Sequence, residues 1–129
     1  MSRRMAARIS VFALSIHGVV ELLGSLVLML NPGVQGALQM GGGEWQNSAE
    51  NVLPISVIGA AWGISRFVAG RGIWSMRKWA IVVGIITSAI TMIAAISVIP
   101  AGVVDTILSA PVLILLLYAW FGQDTLSER

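Results

Sequence analysis

Four apolar runs divide the chain, and the stretches between them hold most of its charge: 9–30, 52–70, 79–99 and 102–121. At ~1.5 Å rise per residue, each run reaches across a hydrocarbon layer of ~30 Å. Strand spans would alternate apolar and polar residues over roughly ten positions, and no run does. The pattern predicts an all-α polytopic membrane protein: four transmembrane helices in one antiparallel bundle, forming a single domain over residues 1–129. Turn chemistry marks the breaks. Asn31-Pro32-Gly33 stops the first helix, Pro54 suits the first turn of the second, and Pro100 and Gly102 part the third from the fourth. Pro111 lies inside the fourth run and predicts a kink.

Composition and charge add direction. The chain is 57% hydrophobic and 11% charged, where a soluble domain carries roughly 25% charged residues. Arg3, Arg4 and Arg8 precede the first run, and Arg71, Arg77 and Lys78 lie between the second and third. The other two connections contain no Lys or Arg. The positive-inside rule then places both termini and the 71–78 connection in the cytoplasm, and residues 31–51 outside it, in a multi-pass cell-membrane protein. Trp74, Trp79, Tyr118 and Trp120 fall at the cytoplasmic boundary, as an aromatic belt does. The first run is too long for a signal-peptide core and contains His17 and Glu21, so it is expected to stay as a helix. The 31–51 loop, with Gly41-Gly42-Gly43, reads as a flexible connector.

The first run also raises a chemical question. On a helix, Ser10, Leu14, His17, Glu21, Gly24 and Leu28 share one stripe, flanked by Gly18 and Ser25. The opposite face is Val, Leu, Ile and Phe, so the polar stripe faces other helices. In the second run Gly59, Gly63, Arg66 and Gly70 share a stripe, and the Gly59/Gly63 spacing permits close approach of a neighbouring backbone. Counted from Ile9, Glu21 lies ~18 Å deep; counted from Gly70, Arg66 lies ~6 Å deep, an offset of ~12 Å. Side chains lean toward their own helix N-terminus, so in antiparallel neighbours these two converge. The expected product is an intramembrane polar cluster of His17, Glu21 and Arg66. The plainer reading is that Arg66 extends to the headgroups while Glu21 sits neutral and unpaired.

Elsewhere the structural reading leads. Gly84, Ser88, Thr91 and Ala95, beside Thr87 and Ala94, form a packing stripe on the third helix, whose hydroxyls should bond their own helix. Together with Gly18, Gly24, Gly59 and Gly63, Gly84 and Ser88 are the expected helix-packing positions. Asp105 is expected to cap the fourth helix, four residues before Ser109.

The residue inventory excludes several chemistries. There are no cysteines and one histidine, which removes thiol catalysis, iron–sulfur ligation and a haem with two axial histidines. One His and one Glu supply two metal ligands, and only a homodimer would double them; the methionines are scattered. Walker, dinucleotide and nucleophile-elbow sequences are absent. No cofactor, metal or nucleic acid is expected. The stretches HGVVELLGSLVLML and AGRGIWSMRKWAIVVGIIT resemble, in the layout they share with the whole chain, small uncharacterised four-helix membrane proteins common in bacteria and archaea. That resemblance implies an architecture and no activity.

Three functions compete. The first is a non-enzymatic accessory subunit or self-associating bundle, with the lipid bilayer, further copies or other membrane subunits as partners; spare glycine-lined surface motivates it. The second is a small proton-coupled transporter with Glu21 as proton carrier and His17 modulating it. In size, helix number and a carboxylate in the first helix it resembles the small multidrug-resistance exporters; it departs from them in its strong charge bias and long 31–51 loop. A membrane enzyme comes last, for want of a catalytic set.

Overall fold

The computed structural model describes residues 2–31, 52–97 and 102–121. They form α1 (Arg3–Leu30), α2 (Val52–Trp74), α3 (Lys78–Ser97) and α4 (Val103–Trp120), each long and apolar enough to cross a membrane. The expected 31–51 connector lies outside the described residues, apart from Asn31.

Two helix ends fall beyond the apolar runs for identifiable reasons. Ser2 caps α1, its hydroxyl accepting from the Met5 N–H at 3.2 Å. Helix therefore starts six residues before Ile9, through Arg3, Arg4 and Arg8. The second helix does not stop at Gly70. It continues to Trp74 and closes with paired bonds, from the Met76 N–H to the Ile73 carbonyl (2.8 Å) and from the Arg77 N–H to the Gly72 carbonyl (3.0 Å). Met76 takes the left-handed conformation, φ 55°, that a glycine usually takes in this closing motif. Gly70, where the second apolar run ends, therefore lies inside the helix, as does Gly72. In the fourth run, α4 is one helix through Pro111.

The helices form a ring in which α1 packs against α2 and α4, and α3 against the same two. Every adjacent pair is antiparallel. Small residues set the spacing. A Cβ on Gly63 would lie 3.0 Å from the Gly18 carbonyl oxygen, and one on Gly18 would lie 3.1 Å from that of Gly63. A Cβ on Gly59 would meet the Ser25 hydroxyl at 2.6 Å, one on Gly72 would overlap Ala80, and one on Gly102 would collide with the Ala95 carbonyl. Gly84 makes room for the Leu116 and Ile73 side chains. Gly24 is different: it is exposed, and no described residue lies within 4 Å of an added Cβ. The packing expected of Gly24 falls to Ser25. From Glu21 the next position on the face is ~3.6 residues on, and here the face advances by four.

Interior and exterior are composed against the habit of soluble domains. Ile, Leu, Val and Phe dominate the outside, whereas the buried residues include Ser10, Ser25, Ser56, Arg66, Ser88 and Ser109. The apolar core is a short layer of Leu14, Ala69, Ile73, Ile81, Val112 and Leu116, with Ala7, Ala80 and Ala119. It occupies the half of the bundle nearer the ends of α1 and α4 that lead to the termini. At that end Arg3 lies over Tyr118 and Arg8 over Trp74.

A Gly63→Leu change should destabilise the protein by ~1–3 kcal/mol or prevent folding, because the new side chain meets backbone. Gly24→Leu should change stability by less than ~0.5 kcal/mol. Thermal unfolding of both in one detergent checks the pair; equal effects would remove the close α1–α2 crossing.

Candidate functional site

Above the apolar layer all four helices send polar groups inward. The α1–α2 register places them. Gly70 faces Val11 and Ser15, Gly63 faces Gly18, and Gly59 faces Ser25. This puts Arg66 level with His17 and roughly one turn, ~6 Å, from Glu21, about half the offset expected when α2 was ended at Gly70.

Arg66 is 0% exposed, so it does not extend outward. Its Nε donates to Glu21 Oε2 at 2.7 Å and its Nη2 to Glu21 Oε1 at 3.0 Å, a fork on a carboxylate. Nη2 also donates to Thr91 Oγ1 at 2.6 Å. That hydroxyl accepts from the Trp62 indole at 3.2 Å and donates to the Thr87 carbonyl at 2.9 Å, which fills its capacity. Nη1 is buried without an acceptor among the described residues, and so is Ser88 Oγ. The other buried hydroxyls largely bond their own helices, as Ser10 bonds the Ala7 carbonyl and Ser56 that of Val52.

His17 joins α1 to α4. Its Nε2 lies 3.1 Å from Asp105 Oδ1 and 3.7 Å from Glu21 Oε1. A carboxylate only accepts, so Nε2–H donates to Asp105 and leaves Nδ1 to accept from the Ser109 hydroxyl at 3.4 Å. His17 is 1% exposed, Glu21 18% at its side chain and Asp105 46%. The cluster is thus closed on the Arg66 side and open at Asp105.

Several expectations change. Asp105 lies in the first turn of α4, where the dipole favours it, but it makes no side-chain cap bond and reaches His17 instead. Thr91 does bond its own helix, yet it also receives Arg66 and Trp62, so it belongs to the site and not only to a packing stripe. The i, i+4 spacing of Asp105 and Ser109 repeats that of His17 and Glu21 and was the available signal for the α4 contribution. Which helix stands beside α1 is not encoded in either stripe. Glu21 has both oxygens committed to a cation, and the described residues contain no group of three or more His, Cys, Asp or Glu placed to hold a metal ion. Comparison of the chain with protein-family models, with curated proteins and with solved structures finds no match.

The fork predicts strong coupling. Glu21→Gln and Arg66→Gln should each cost ~3–5 kcal/mol, since each strands a buried charge. The double variant should be milder than the sum by ~0.5–3 kcal/mol. Unfolding midpoints of the four proteins test this, and strict additivity would rule out a direct pair.

Proposed function

We propose that the chain is a four-span integral membrane protein with both termini and residues 75–77 cytoplasmic, and that its polar layer is the proton-binding centre of a small proton-coupled transporter. The observation that carries this reading is one imidazole nitrogen facing two carboxylates, Asp105 at 3.1 Å and Glu21 at 3.7 Å, of which only Asp105 is substantially exposed.

Charge counting gives the physical reason. With both carboxylates ionised, Asp105 and Glu21 bring two negative charges and Arg66 one positive charge. A neutral His17 leaves the cluster at minus one; a protonated His17 brings it to zero. Arg66 and Glu21 cancel one another, so the residual charge is that of Asp105, and in the proposed chemistry one proton at His17 balances it. Glu21, tied to Arg66 on one side and facing His17 on the other, is placed to pass between two partners as that proton arrives and leaves. The apolar exterior, the length of the helices and the gathering of Arg3, Arg4, Arg8, Arg71, Arg77 and Lys78 at one end support the membrane placement. The accessory-subunit or self-associating reading is the alternative: Gly18, Gly59, Gly63, Gly72, Gly84 and Gly102 face neighbours within the bundle, and Gly24 is the exposed glycine of α1 left for a partner.

Topology is checked with single cysteines. Labelling at Ser75 should need membrane permeabilisation and labelling at Ser48 should not; the reverse pattern would invert the orientation. For the proton centre, the chain has one histidine, so its imidazole NMR signals are unambiguous. In the wild type the His17 and Trp62 side-chain signals should move together during a pH titration, because Glu21, Arg66 and Thr91 connect them. In Glu21→Gln, with its fold checked by circular dichroism, that coupling should break and proton flux into liposomes under an imposed gradient, read with a trapped pH dye, should fall to background; Asp105→Asn, which leaves the Arg66–Glu21 fork in place, should lower the flux without the loss of stability. Signals that titrate independently in the wild type would defeat the proposal.

A further inference from the structure

A groove of about 410 Å³ opens between α1 and α2 at the end of the bundle nearest the termini, lined by Val11, Ser15, Gly70, Arg71, Trp74 and Ser75. Gly70 adds room to it: an added Cβ would meet Val11 at 3.5 Å and Ser15 at 4.0 Å, both ordinary contacts. Its rim is cationic. Arg71 is exposed, and the Arg8 guanidinium sits 5.2 Å from the centre of the Trp74 ring, which Phe12 holds edge-on at 6.1 Å. The described carboxylates, Glu21 and Asp105, both belong to the polar layer, so neither neutralises this rim.

We infer that this groove binds the headgroup and upper chain of an anionic phospholipid of the cytoplasmic leaflet. Arg71 and Arg8 meet the phosphate, the Ser75 hydroxyl and the Trp74 ring meet the glycerol region, and Val11 and Gly70 line the first methylenes. Arg71 in the lining and Arg8 beside Trp74 place positive charge next to a slot with an apolar floor of Val11 and Gly70, which favours a lipid over a free anion, with nothing to place in the slot, and an anionic lipid over a zwitterionic one. The inference rests on the membrane reading and not on the proton chemistry.

The test titrates the purified full chain, in a neutral detergent, with phosphatidylglycerol, phosphatidylcholine or glycerol 3-phosphate and follows thermal unfolding. Phosphatidylglycerol should raise the midpoint and the other two should not. Arg71→Gln should weaken the response about fivefold. Gly70→Val, which narrows the slot with every charge kept, should weaken it as well. Arg3→Gln, on the Tyr118 side of α1, should leave it unchanged. An equal loss in Arg3→Gln and Arg71→Gln would overturn the site in favour of diffuse charge attraction, and an equal response to glycerol 3-phosphate would overturn the lipid in favour of a free anion. Arg71 is exposed, so its variant keeps the proposal falsifiable if Gly70→Val does not fold. Solubility without detergent would overturn the membrane reading itself; a detergent-dependent protein that ignores phosphatidylglycerol overturns the lipid site alone.

Discussion

A guanidinium with no exposure, inside a bundle whose outside is Ile, Leu, Val and Phe, is the constraint to which the other contacts answer. An isolated buried charge costs several kcal/mol, so Arg66 needs an anion within reach and neutral acceptors for its remaining donors. Glu21 supplies the first and Thr91 accepts from Nη2, while Nη1 is left without an acceptor among the described residues. Neither is reached unless α1, α2 and α3 hold one register. Sliding α1 by a turn would move Glu21 ~5 Å along the axis and break both arms of the fork. The pair contributes little as net attraction, given what its desolvation costs. Its larger effect is to make every other register worse.

The glycines make that register attainable. The Glu21 carboxylate and the Arg66 guanidinium come from helices that cross where Gly18 and Gly63 present bare backbone to one another, each added Cβ lying about 3 Å from the opposite carbonyl. Larger residues there would push the axes apart and stretch the fork. Within a membrane, apolar side chains gain nothing from leaving water at a helix–helix contact, and association depends on close packing and polar pairing. The bundle uses both devices at adjacent levels, Gly18 with Gly63 and then Glu21 with Arg66.

What the sequence makes legible follows from what a stripe contains. The four helices are readable because their apolar runs are long and nearly free of charge. The Glu21–Arg66 pairing is readable because each residue lies on a small, polar face and the lean of antiparallel side chains brings them together. Helix ends are less readable: a methionine, Met76, occupies the left-handed closing position, and nothing in its side chain announces that. The Asp105–His17 contact was out of reach for a different reason. A stripe reports which way a residue faces but not which helix it faces, and only the ring order sets α4 beside α1. Gly24 marks the limit of a stripe, since a face advancing by ~3.6 residues passes between Gly24 and Ser25 and composition favours the wrong one.

The division of the interior places a condition on the proposed chemistry. From Asp105, polar groups lead inward through His17 to Glu21 and Arg66. On the other side the Leu14, Ile73, Ile81 and Leu116 layer closes the bundle. In the proposed chemistry Nε2 already holds the proton shared with Asp105, so a second proton would enter at Nδ1, beside Ser109, and the apolar layer would separate it from the Arg-rich end. Coupling to transport requires a second conformation in which that layer parts. The α1–α2 seam is the most extensively packed of the four and holds the Arg66–Glu21 fork, whereas the α2–α3 seam is the least packed. A shift of α3 against α2 would leave the fork in place and break the bonds that Arg66 and Trp62 make to Thr91. Any parting of the apolar layer that keeps Glu21 on Arg66 therefore costs the Thr91 contacts first.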